Sequence, residues 1–154
     1  LKPVKNATRK SVYKMPLPPA YGPPVGSIAD VPRTDKVAYG AYLAGPLGHC
    51  MECHTPMTKP PFRDYKTKMG AGGFKFAGPW GESIAANLTP HTETGLGKWT
   101  DAQITAAVRE GVRPDGTKLR PPMPFGYYKN ISDDDMGAIV AYLRSLKPVA
   151  HDVR

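Results

Sequence analysis

The stretch "GHCMECHT", residues 48–55, decides how this chain is read. It holds both cysteines of the 154-residue sequence, Cys50 and Cys53, with His54 immediately after the second. Two thiols at that spacing suit several chemistries. A thioredoxin-like dithiol would stand beside a strand-helix-strand pattern, which this chain lacks. A zinc site needs four ligands. Cys50 and Cys53 with two of His49, His54 and His91 could supply them, but no second cysteine pair completes the usual spacing. A structural disulfide closing so short a loop would staple almost nothing.

The histidine favours another chemistry. Cys-x-x-Cys-His is the attachment signature for c-type haem. Each thiol can add across one vinyl group of a single porphyrin, and the next residue, His54, then lies under the ring and can ligate the iron. Chance produces such a match on the order of once in a thousand chains of this length. Iron with one axial histidine takes either a second ligand or an open face, and this choice separates electron carriers from catalysts. Met51 lies inside the motif and cannot reach the opposite face. Met136 suits core packing, and Met15, Met57 and Met69 lie in flexible segments that would hold a sulfur loosely. Met123, in "LRPPMPFGYY", is bracketed by Pro121, Pro122 and Pro124, which restrict the backbone and hold the sulfur at low entropic cost. A thioether there would raise the reduction potential. On residue chemistry alone Met123 stands evenly between iron ligand and gap-filler, and His91 competes for the sixth position.

Outward from the motif, the chain divides into a proline-rich arm or linker, residues 1–33, and a body, residues 34–154. "MPLPPAYGPPVGSIADVPR" has no helical or strand period and reads as extended. The body begins with a predicted helix over 34–44, capped by Thr34, with Ala38, Ala41 and Tyr42 on one face and Gly45-Pro46 as its stop. Gly40 inside it makes sense where another backbone comes close. Residues 55–96 are irregular, with "KPPF", "GAGGF" and "AGPWGE" marking turns, and a short hairpin fits around Phe74–Asn87. A second helix is predicted over 101–110, with a Thr100–Gln103 capping box, an Ile104, Ala107, Val108 stripe and Gly111 as its C-terminal cap. A third runs over 133–146. Ser132 and Asp135 read as another capping box, and Met136, Ile139, Val140, Leu143 and Leu146 recur at helical spacing. Three modest helices leave little apolar surface for a core, so something else should fill the centre.

The net charge of +8 and pI of about 9.5 bear on partners rather than on fold. No nucleic-acid module is visible, and the excess reads as a solvated positive surface or as a face for an acidic partner. No apolar run approaches the roughly 20 residues of a membrane span. "LKPVKNATRK" lacks the apolar segment of a signal peptide, and a Leu at the first position is expected of a processed or trimmed N-terminus, which suits an exported protein.

"CMECHT", "NLTPHTETGLGKWTDAQITAAVREGVRPDGTKLRPPMPF" and "DDDMGAIVAYLRSLKPV" together resemble a class I cytochrome c domain over residues 34–149. Within that family the chain is similar to the cytochrome subunits of membrane-bound alcohol, aldehyde and sugar-acid dehydrogenases. The resemblance implies an all-α fold with three main helices around one covalent haem c. It makes Cys50 and Cys53 the thioether links, His54 the proximal ligand and Met123 the distal one. It crosses Gly40 and Tyr42 of the first helix against Tyr142 and Leu143 of the last, and sets Trp80, Asn87, Arg120 and Tyr127 near the haem edge or propionates. The implied function is single-electron transfer between a dehydrogenase or respiratory complex and an acceptor, by a carrier rather than an enzyme. The alternatives are a tightly bound oxidoreductase subunit, or a haem enzyme or gas sensor with an open sixth position. Redox protein partners with acidic docking surfaces are expected, at a periplasmic site or the outer face of the inner membrane. Membrane association would come through a complex or a removed N-terminal anchor. Two features depart from the subgroup. Its subunits usually carry three such domains where this chain has one haem motif, and the arm lies outside the resemblance.

Overall fold

The apolar repeat over 133–146 forms the central helix of the molecule. A computed structural model describes residues 26, 27 and 29–153, and Val31–Arg154 form one compact unit. Most of the arm expected over 1–33 therefore lies outside the described residues. Val31–Arg33 belong to that unit.

In chain order the elements are α1 (Lys36–Tyr42), a π-helical turn (Leu43–Leu47), α2 (Cys50–His54), β1 (Lys75–Gly78), β2 (Gly81–Ile84), α3 (Asp101–Glu110), α4 (Phe125–Tyr128) and α5 (Asp133–Ser145). The expected all-α architecture is observed, with one small antiparallel hairpin whose register pairs Lys75 with Ile84 and Gly78 with Gly81. No helix among the described residues is long and apolar enough to cross a membrane.

Met136, Ile139, Val140, Leu143 and Leu146 turn one face of α5 into the core, joined by Ile104 of α3, Leu96, Ala44 and Met51. Met136 is 1% exposed and is a packing residue. The sequence stripe on α1 points the other way from expectation. Ala38 and Tyr42 face solvent, whereas Tyr39 and Gly40 are buried. The cap is also displaced by one residue, because the Asp35 carboxylate, not Thr34, accepts from the Ala38 N–H at 3.0 Å. Gly40 does permit a close approach. A Cβ there would stand 1.9 Å from the Ala138 carbonyl oxygen and 2.8 Å from Tyr142 Cβ, so α1 crosses α5 on backbone.

α3 carries the full Thr100–Gln103 box and ends on Gly111 at φ 68°, a left-handed cap that glycine adopts freely. At α5 only half of the expected box forms: Ser132 accepts from the Asp135 N–H. An aspartate is one carbon shorter than the glutamate that usually reaches back. The two helices are joined at both ends. Arg109, in the last turn of α3, donates to Asp133 at the start of α5, and Arg144, in the last turn of α5, donates to Asp101 at the start of α3. Arg144 also bonds the carbonyls of Leu96 and Trp99. This reciprocal clasp fixes the helices antiparallel.

A haem-binding site

α2 is a single helical turn, and that brevity makes the site. Cys50, Cys53 and His54 stand at positions i, i+3 and i+4, which one face of a helix brings together. Met51 points the opposite way and is 5% exposed in the core. The same turn thus anchors itself with Met51 and presents two thiols and an imidazole. His49 precedes it in a left-handed conformation, φ 53°, which reverses the chain from the π-helical turn into α2.

The imidazole is held by its far nitrogen. His54 Nδ1 lies 2.7 Å from the Ala86 carbonyl oxygen, so Nδ1 carries the proton and donates, leaving the Nε2 lone pair free. Burial keeps the His54 pKa below its ordinary value, against the opposing pull of that hydrogen bond, and so favours the neutral ring a metal needs. Ala86 is brought in by the glycine run. Gly72 donates to the His54 carbonyl at 2.7 Å, and at φ 74° a Cβ on Gly72 would stand 2.5 Å from Ala85 and Ala86 backbone atoms. "GAGGF", which the sequence marks only as a turn, is a close-packing surface beneath the histidine.

The thiols are free and distinct from those of a redox dithiol. Burial raises the Cys50 pKa to about 11, and burial likewise raises Cys53, against the attraction of the nearby Arg63 guanidinium. Reactive dithiols show the reverse shift. Among the described residues no group of three or more His, Cys, Asp or Glu side chains stands together as a metal-ion site of the zinc kind. The donor set fits a c-type haem: two thiols and an unprotonated imidazole nitrogen on one face.

Met123 is half-buried in its proline-rich loop, immediately before α4. That loop reaches the motif through Tyr128, whose hydroxyl donates to the Gly48 carbonyl at 2.6 Å. Burial, with Cys50 and Cys53 close by, raises the Tyr128 pKa to about 12. Met69 is not loosely held: it packs against the core, and its sulfur accepts from the Tyr142 hydroxyl at 3.2 Å. His91 Nδ1 accepts from the Thr94 N–H at 3.2 Å and lies 3.0 Å from its hydroxyl. Asn87 is not available to a propionate. It is 2% exposed, and its amide donates to Val149, His151 and Thr94 while its oxygen accepts twice from Thr89. Trp80, Arg120 and Tyr127 are exposed. Tyr128 and Ala86 escaped the sequence reading because each enters through a long-range contact, and Arg63 because its reach to the Thr55 carbonyl follows an irregular loop; no local pattern encodes any of them.

A family model described as Cytochrome c matches residues 37–147. The chain belongs to the cytochrome c family. It therefore carries a covalent c-type haem, with Cys50 and Cys53 fitting the attachment motif, and electron transfer is the activity of such a domain. It is 36% identical over 127 residues to the alcohol dehydrogenase (quinone) cytochrome c subunit of Gluconacetobacter polyoxogenes, covering 80% of this chain and 25% of that protein. It is 37% identical over 126 residues to the gluconate 2-dehydrogenase cytochrome c subunit of Pantoea cypripedii, covering 80% and 26%. The fructose dehydrogenase cytochrome subunit of Gluconobacter japonicus is 34% identical over 115 residues, covering 74% and 22%. The cytochrome spans about a quarter of the length of these relatives.

Proposed function

We propose that this cytochrome relays single electrons from a dehydrogenase or respiratory complex to an acceptor, with the haem linked at Cys50 and Cys53 and its iron bound by His54 and Met123. The observation that carries the reading is His54. Its Nδ1 is committed to Ala86 and its Nε2 is free, on the same helical face as both thiols. When bound, the haem would supply a one-electron couple, with His54 and Met123 holding its iron and the soft Met123 sulfur favouring the ferrous state. The chain's own part is to orient the imidazole through Ala86 and to offer a soft sulfur from a stiff loop. Subunit names among the relatives support a dehydrogenase as the donor, and covalent haem attachment supports a periplasmic location or the outer face of the inner membrane. In this reading residues 1–33 form an arm or linker and residues 34–154 the electron-carrying domain, whose membrane association would come through a complex or a removed N-terminal anchor.

Charge distribution supports an acidic partner. Residues 55–69 carry Lys59, Arg63, Lys66 and Lys68 against Asp64 alone, and residues 111–130 carry Arg113, Lys118, Arg120 and Lys129 against Asp115 alone. Elsewhere in residues 31–153, ten acidic residues outnumber seven basic ones. Six of those seven are ion-paired: Arg33, Lys36, Lys75, Lys98, Arg109 and Arg144. None of the eight loop cations makes an ion pair among the described residues. Positive potential thus gathers on the two loops next to the haem motif, where it would steer an acidic face inward.

The test is spectroscopic. Intact mass of the mature protein should exceed the polypeptide by one haem. The ferric protein should show a low-spin spectrum with the methionine-to-iron near-infrared band, and Met123→Ala should lose that band and lower the potential. A bare polypeptide mass excludes the haem links, and unchanged coordination in Met123→Ala excludes the distal ligand.

A further inference from the structure

The loop that carries Met123 is tied down on both sides of that residue, to two different parts of the molecule. Just before it, the Pro121 carbonyl accepts a 2.6 Å hydrogen bond from the Ser83 hydroxyl of β2. Just after it, the Phe125 ring seats on Gly111 so closely that a Cβ there would stand 2.8 Å away. Further along, the Tyr128 hydroxyl holds the Gly48 carbonyl at 2.6 Å, at the entrance to the haem motif. Between these ties the backbone is stiffened by Pro121, Pro122 and Pro124. A stiff segment pinned at both ends resists moving as a whole. Swinging the loop aside, so that an outside ligand could take the place of Met123, would strain or release a pin.

We propose that Ser83 and Tyr128 are positioning residues for the sixth iron ligand, and that their hydrogen bonds protect Met123 against exchange for outside ligands. The proposal rests on Met123 being that ligand. Both residues act through the loop: Ser83 binds it to the hairpin that leads to Ala86, and Tyr128 binds it to the turn that carries the cysteines. The hairpin therefore serves both residues proposed to hold the iron, leading to the Ala86 acceptor of His54 and anchoring the Met123 loop.

The test is imidazole titration of the ferric holoprotein followed by the haem's main visible absorption band, which responds in every variant, with the methionine-to-iron near-infrared band and thermal unfolding recorded on the same samples. The variants are Ser83→Ala, Tyr128→Phe, Met123→Ala, and each of the first two combined with Met123→Ala. Each loss of a tie should tighten apparent imidazole binding about two- to tenfold, the range expected for one hydrogen bond. On the Met123→Ala background neither substitution should change imidazole affinity further. Wild-type affinity in both single variants overturns the proposal, and a lowered melting temperature with that affinity marks a merely structural role. An effect that persists without Met123 also overturns it, because the ties would then act on the pocket at large. A band that survives in Met123→Ala instead removes the ligand reading beneath the proposal, so the two failures are told apart.

Discussion

On the helical side of the molecule, Ile104 of α3 joins Met136, Ile139, Val140 and Leu143 of α5 in the apolar core, and at each end an arginine reaches from one helix to the other. On the haem side, residues 55–90 and 112–130 contain one four-residue-stranded hairpin and a single short helix, α4. Their order comes from polar contacts outside regular elements: Arg63 to the Thr55 carbonyl, Gly70 to the Thr55 hydroxyl, His54 to Ala86, Ser83 to Pro121 and Tyr128 to Gly48. The first side buries hydrocarbon along regular helices. The second has little hydrocarbon of its own, so its backbone is pinned by individual side chains around the place a large flat apolar group takes. The charge follows a related division: ion pairs join α3 to α5 and close the hairpin, whereas the eight cations of residues 55–69 and 111–130 make none among the described residues.

Breaking the helical side should produce the largest effect. Gly40→Val places carbon where the Ala138 carbonyl oxygen already lies, at 1.9 Å for an ideal Cβ. It should cost upward of about 3 kcal/mol or prevent folding, measured by urea unfolding of the holoprotein. A wild-type midpoint would mean that α1 can shift along α5 freely. Asn87→Ala tests the loop side. It strands the Thr89 N–H and the Val149 carbonyl that now meet in a buried network, and should cost about 2–4 kcal/mol by the same measurement. If its effect matched a surface substitution, the polar pinning described above would not hold that region together.

Arg144→Met should cost about 1–2 kcal/mol. The ion pair with Asp101 is largely exposed and contributes little, but the Trp99 carbonyl loses the guanidinium donor and the Leu96 carbonyl keeps only the Trp99 N–H. The smallest stability change should come from Lys59→Glu, Lys66→Glu and Lys68→Glu combined, within about 0.5 kcal/mol. Their effect belongs to association. At low salt the electron-transfer rate with an acidic partner should fall about tenfold, and the difference should shrink as ionic strength rises through about 0.15 M. A rate indifferent to both substitution and salt would remove steering.

α3 and the extent of α5 were legible because their signals are local: apolar residues recur every three to four positions, and Thr100, Ser132 and Gly111 stand where caps belong. The orientation of α1 was not. Ala38, Ala41 and Tyr42 share a face as plausibly as Tyr39, Gly40 and Ala44 do, and only the close pass of α5 selects the second set. α4 is four residues long and offers no period to read. The tail beyond α5 gives no warning either that it closes over Asn87 and Thr89 and sets the His151 ring against the Ala71 carbonyl.

The sequence by itself determined the chemistry. Two thiols and a histidine on one helical turn need only five consecutive residues, and a helical repeat of apolar side chains names its own buried face. Tertiary structure alone decided which nitrogen of His54 is free, that Met69 is bound to Tyr142, and that Ser83 and Tyr128 clasp the loop of Met123. Those outcomes depend on groups brought together from distant parts of the chain, and such meetings are set by how the helices pack rather than by any pattern within one segment.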